Sequence, residues 1–184
     1  MGYRYITDDI ETVVIKMNYY IKKMQDKKQN VPCSEVYFLC GTASEINVQL
    51  LDKSADSTHK YRKYPLVMLR TPSPDAMLTG MVDDSLNIAI VNQATKPGLK
   101  THERMELVFK PILFPLYDLF ARAIRNVGIF TWEGERDSLP GQRIIIPCYG
   151  NSLEGSAQNK FSDPLDAIEL VDLKLNQTIN NCII

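Results

Sequence analysis

Clustered metal-ligating residues are missing from this sequence. Its four cysteines, Cys33, Cys40, Cys148 and Cys182, form no C-x-x-C pair, and its histidines number two, His59 and His102. Zinc signatures need such residues at short spacing, so no metal and no other cofactor is expected. Cys33, Cys40 and Cys148 lie in or beside apolar runs, which reads as reduced, buried thiols and suits synthesis in a cytosol. An excess of either charge is missing as well: 21 Lys and Arg stand against 22 Asp and Glu, for a net charge of −1. A dedicated nucleic-acid binder draws its affinity from neutralised phosphates, and an electrostatic membrane binder needs the same surplus, so both classes are disfavoured. Neither G-x-G-x-x-G nor G-x-x-x-x-G-K-[ST] occurs, which removes the two commonest phosphate-cradling loops. No run is apolar for the roughly 18 residues that a membrane helix requires. The opening Met1-Gly-Tyr-Arg-Tyr5 also lacks the apolar stretch of a secretion signal.

What is present is an ordinary globular balance. The chain has 184 residues, 45% apolar and 23% charged, enough for one domain with its own core. We assign residues 1–176 to a single α+β domain and residues 177–184 to a C-terminal tail. A first helix is expected from Asp8, with Asp8 and Glu11 in capping-box positions and Ile10, Val13, Val14, Met17, Ile21 and Met24 on one face. Glu35–Cys40 reads as a strand apolar on both sides, hence inside a sheet. Thr42 and Glu45 form a second capping box that opens a helix to about Leu51. Asp52–Lys63 and Thr71–Asp75 read as loops. Tyr64–Arg70 and the segment from Leu86 read as strands, with Pro65 at a strand start or edge. The longest helix runs from Thr101 to Asn126, with Pro111 and Pro115 predicting a kink or a break near Lys110. Ile129–Trp132, Arg143–Cys148 and Ala167–Leu175 are further strands. The change of parity in the last predicts a bulge at Leu170-Val171. The order gives an α+β (mixed α/β) fold, a mostly antiparallel sheet packed against two to three helices.

Several residues have the chemistry for a site, and each has a plainer reading. Gly41-Thr42 ahead of a helix suggests an anion site or an ordinary turn with its cap. Cys148 or Cys40 with His59 or His102 would make a nucleophile pair, but no signature surrounds either cysteine, and structural thiols are the simpler account. Asp83-Asp84 and the cluster Asp163, Asp166, Glu169 and Asp172 suggest metal binding or acid–base work, or else solvated faces. The run Lys53, Lys60, Arg62, Lys63 with Tyr61 and Tyr64 suggests stacking and charge contacts to nucleic acid, or a solvated loop.

The long helix carries a second apolar side: Leu107, Phe114, Tyr117 and Ala121 lie away from its main face. A helix apolar on two sides must be covered on two sides, by a central core or by a neighbouring subunit. Together with Leu153 in the polar loop after Tyr149, and Ile183 and Ile184 in the apolar tail, these residues are the expected oligomer interface.

Four stretches carry a family likeness: Tyr64-Pro-Leu-Val67, Leu86-Asn-Ile-Ala-Ile90, Thr101–Tyr117 with its F-K-P-I-L-F-P-L-Y block, and Asp163–Asn176 with D-A-I-E-L. In this order they resemble small neck or tail-completion proteins of phages infecting gut Bacteroidetes, and the order of elements is similar to tail terminators. The resemblance covers most of residues 30–176. It implies a tail-terminator-like fold and a non-enzymatic structural virion protein. It implies a ring of roughly six or twelve copies at the head–tail junction or the top of the tail, with portal, neck and tail proteins as partners. DNA would pass through such a channel without specific binding, and a near-neutral wall lets it slide. The chain would be made in the host bacterial cytoplasm and end in the virion. The residues alone leave an alternative open: a small cytosolic enzyme or ligand-binding domain, with a cleft near Cys148 and the Asp163–Asp172 acidic cluster.

Overall fold

A computed structural model describes residues 5–55, 63–70, 86–94, 98–132, 139–150, 161 and 163–177. The expected 71–75 loop, His59, Asp83-Asp84, Leu153 and the tail from residue 178 lie outside them. Helix α1 (Ile6–Asp26) is followed by β1 (Tyr37–Gly41), α2 (Ala43–Ala55), β2 (Leu66–Arg70) and β3 (Leu86–Gln93). A continuous helical run then passes through α3 (Thr101–Arg104), a π-helical segment (Met105–Leu113) and α4 (Phe114–Val127). Strands β4 (Phe130–Thr131), β5 (Gln142–Tyr149), β6 (Leu165–Leu173) and β7 (Asn176–Gln177) follow.

The sheet order is β1-β2-β3-β6-β5, with β4 and β7 forming a separate ribbon. Among the described strands, only β1 and β2 run parallel, the pairing that needs a crossover, which α2 supplies. The other described ladders are antiparallel, so the fold is α+β with a mostly antiparallel sheet. One face of the sheet packs against α1, the π segment and α4 around Val67, Ile88, Ile90, Ile168 and Leu170. The other meets α2 through Ile46 and Leu50, against Leu66, Met68, Ala89 and Val91. Strand β2 is buried along Leu66–Leu69 because both layers cover it.

Four expectations need correction. Helix α1 starts at Ile6 with Tyr5 at its N-cap and no side-chain cap bond, so Asp8 and Glu11 do not cap it; they lie inside the first turns. Its expected apolar face is right, with Ile10, Val13, Val14, Met17 and Ile21 buried. Strand β1 is an edge strand, not an inner one: apolarity on both sides reports helices on both faces and says nothing about lateral neighbours. Residues 52–55 continue α2 instead of looping. The long helix does not break at Lys110. It widens into a nine-residue π-helical stretch containing Pro111, and Pro115 falls in the first turn of α4, where a missing amide costs little. Longer-range helical bonds let the chain pass a proline whose ring would meet the carbonyl four residues back.

The bulge is present, one residue beyond its predicted place. Between the pairs Ile88–Leu170 and Leu86–Leu173, β6 carries one residue more than β3, and Asp172 adopts φ 56°. A second bulge interrupts β5 between Ile146 and Tyr149, at Pro147 and Cys148, where Cys148 has φ 58°.

Candidate interaction surface

Strand β6 shows why the acidic cluster is not a solvated face. Asp166 is fully buried, and its Oδ1 accepts from Arg104 Nη1 at 2.6 Å and from the Cys148 amide at 3.0 Å. Arg104 also donates from Nε to the Leu99 carbonyl at 3.0 Å. This pins the start of the helical run to the end of the sheet. Glu169 lies on the opposite face, where Arg70 reaches it across β3. Asp163 is held by Lys63 Nζ at 3.1 Å and by the Tyr64 hydroxyl at 2.8 Å. Burial, with the adjacent Asp163 charge, pushes the Tyr64 phenol well above its ordinary range. Three of the four acidic residues are therefore neutralised by cations from other segments, and only Asp172 is exposed. No group of His, Cys, Asp and Glu suited to a metal occurs among the described residues.

The basic run also turns inward. Lys63 is 7% exposed and donates to Ser54 as well as Asp163, and Lys53 Nζ lies 5.8 Å from the Tyr37 ring centroid. Lys60, Tyr61 and Arg62 lie outside the described residues. The helix N-terminus after Gly41 is occupied by the chain itself. Glu45 Oε2 accepts from the Thr42 amide at 2.7 Å and from its hydroxyl at 2.8 Å, while Thr42 Oγ1 accepts from the Glu45 amide. These bonds lower the Glu45 pKa. The turn-and-cap reading holds, and the anion position is filled.

The cysteine candidates are separated by environment. Burial raises the Cys40 thiol to about 11 and the Cys33 thiol to about 12, which keeps both protonated at neutral pH. His102 is exposed in the first turn of α3. The structure does bring Cys148 to the acidic cluster, but through its backbone amide on Asp166. The buried Tyr149 stacks on Phe161 at 5.8 Å, with Arg70 5.6 Å from its ring. Burial raises its pKa, and the Arg70 charge opposes that rise.

The interface residues named from the long helix divide. Ala121 is 7% exposed and belongs to the core between helices and sheet. Phe114 and Tyr117 pack against the same core, and the Arg143 guanidinium of β5 stacks over both, 5.4 Å and 4.9 Å from their centroids. The chain thus covers much of its own second apolar side, and Leu107 remains open at 51% exposure. Leu153, Ile183 and Ile184 lie outside the described residues.

An apolar surface that the sequence reading did not single out lies on β5. Ile144 and Ile145 point to opposite faces of the sheet, yet both are open, at 39% and 36%. The strand is the last in the sheet order. Among the described residues, no strand pairs with its outer side. The signal was in the sequence as three consecutive isoleucines, Ile144–Ile146, which a strand with one solvated face does not carry.

A groove of about 300 Å³ opens where α1 ends against the π segment and α4. Pro32, Pro111 and Pro115 line it, with Asp118 and Arg122 as its charged members. Among the described residues, no helix is long and apolar enough to cross a membrane. No protein-family model, curated protein or solved structure matches the chain.

Proposed function

We propose that this chain is a structural, non-enzymatic subunit of a closed ring of its own copies. The ring would sit at the head–tail junction or tail top of a phage infecting gut Bacteroidetes, around the channel through which DNA passes. The observation that carries an assembly role is the end of the sheet: a strand with Ile144 and Ile145 open on opposite faces and, among the described residues, no strand beyond it. Exposed apolar strand edges are places where another chain pairs. The resemblance of the F-K-P-I-L-F-P-L-Y block and the D-A-I-E-L strand to neck and tail-completion proteins supplies the location.

Two further features support this reading over a catalytic one. The carboxylates at Asp163, Asp166 and Glu169 are each tied to a cation, which makes them anchors of the fold. The net charge of −1 suits a wall past which DNA slides, since strong phosphate contacts would hold it. Portal, neck and tail proteins are the partners this position implies. The test is composition of the particle. Peptides of this chain should be recovered from purified virions at a constant ratio to portal protein. Virions that lack the chain, while infected cells contain it as a free protein, would remove the reading.

A further inference from the structure

The assembly reading leaves open which surfaces meet, and the sheet carries enough geometry to choose them. We infer that β5 of one copy pairs, antiparallel, with β1 of the next copy, so that the sheet continues from subunit to subunit around the ring. This rests on the assembly reading and deepens it.

The first support is direction. Strand β2 runs parallel to β1, β3 antiparallel to β2, β6 antiparallel to β3, and β5 antiparallel to β6. The two outer strands, β5 and β1, therefore run in opposite directions. A second copy rotated about an axis parallel to the strands keeps its faces on the same sides. It presents β1 antiparallel to β5, the stronger of the two pairing modes.

The second support is length. Pro147 and the bulge at Cys148 disrupt the far half of β5, and such features end pairing at an edge. The pairable stretch is Gln142–Ile146, and β1 spans 5 residues, Tyr37–Gly41. The one charge on that stretch, Arg143, is exposed, and its guanidinium lies over Phe114 and Tyr117 of its own subunit.

The third support is the match of faces. With the two stretches fully overlapped, Ile144 stands opposite Leu39 of the next copy, Ile145 opposite Phe38 and Ile146 opposite Tyr37. Residues directly opposite in an antiparallel pair share a face. Ile146 is registered to Ala167, which lies in the α2-side core with Leu39, and Tyr37 packs against that core. Ile145 is registered to Ile168 in the helix-side core, against which Phe38 packs. Each core thus continues into the same core of the neighbour. A closed ring built this way joins both outer strands of the five-stranded sheet to neighbours, whereas a two-fold pairing of β5 with β5 would leave β1 of each copy outside the contact.

The test compares the wild-type chain with Ile144→Lys/Ile145→Lys, both sites being exposed, by sedimentation and far-UV circular dichroism. The wild type should assemble. The variant alone should keep its secondary structure and lose its assembled fraction at least tenfold. A tagged variant co-expressed with untagged wild type should still capture it, because its own β1 edge is intact. A monomeric variant that captures no wild type would indicate β5–β5 pairing and overturn the inference. A variant that assembles like wild type would overturn it too, while leaving the assembly reading in place. A wild-type chain that stays monomeric at every concentration would remove the assembly reading itself, and the inference with it. Should the lysine pair fail to fold, Ile144→Thr/Ile145→Thr keeps strand propensity and serves the same comparison.

Discussion

Replacing Arg104 by Met tests a buried ion pair that ties helix to sheet. Arg104 is 4% exposed and Asp166 fully buried, with 2.6 Å between Nη1 and Oδ1. The substitution keeps most of the apolar stem and removes the cation. Asp166 then remains buried with the Cys148 amide as its one described donor, and its Oδ2 already has no hydrogen-bond partner. Breaking a buried pair from one side costs about 3–5 kcal/mol, because the surviving charge is uncompensated. Against a total stability of roughly 5–15 kcal/mol, that is about a fifth or more. For a chain of this size it lowers Tm by about 6–20 °C. Urea unfolding should show a reduced midpoint with an unchanged slope, at matched protein concentration so that assembly does not shift the result. The double variant Arg104→Met/Asp166→Leu should recover at least half of the loss, since an apolar pair of similar volume often replaces a buried ion pair at little cost. A single variant losing less than about 1 kcal/mol, the range of exposed pairs, would refute the reasoning.

Four further outcomes follow from the geometry. Thr42→Ala removes the cap of α2 and should cost about 1 kcal/mol in denaturant unfolding. Because the Glu45 pKa is lowered in the folded chain, its contribution is present above the unfolded glutamate pKa and is lost as pH falls through the folded one. The difference between wild type and Glu45→Gln should therefore vanish toward acid, and a difference that grows toward acid would contradict the assignment. Gly141→Ala should destabilise by upwards of about 2 kcal/mol, since φ is +98° and a Cβ would approach the Val171 carbonyl oxygen to 2.5 Å; an unaffected midpoint would be inconsistent with that contact. Cys33 and Cys40, raised to about 12 and about 11, should resist alkylation at neutral pH until the chain unfolds, as quenched labelling and peptide mass analysis would show.

The parts of the fold readable from sequence were those with a clean period. Ile10, Val13, Val14, Met17 and Ile21 mark the buried side of α1, and Thr42 with Glu45 marks the start of α2 by reciprocal bonds. The parity change in β6 announced a bulge because a strand cannot switch faces without an extra residue. What stayed hidden was lateral and long-range. The position of β1 at the edge depends on strand order, which side-chain alternation does not encode. The partners of Asp163, Asp166 and Glu169 come from Lys63, Arg104 and Arg70, distant in sequence, so local pattern reads these carboxylates as solvated. The same holds for Asn18, whose side chain exchanges two bonds of 2.8 Å with the Val36 backbone. The prolines at 111 and 115 signal a disturbed helix, but not that the ladder would widen and continue. The apolar side at Phe114 and Tyr117 looked uncovered because the Arg143 stem and guanidinium that cover it belong to β5.

Native mass measurement of the purified protein is the decisive test of the proposed ring. One closed species at roughly six or twelve times the subunit mass is expected, as cyclic symmetry allows. A single species at the subunit mass, unchanged with concentration and with added portal or neck protein, would rule the ring out.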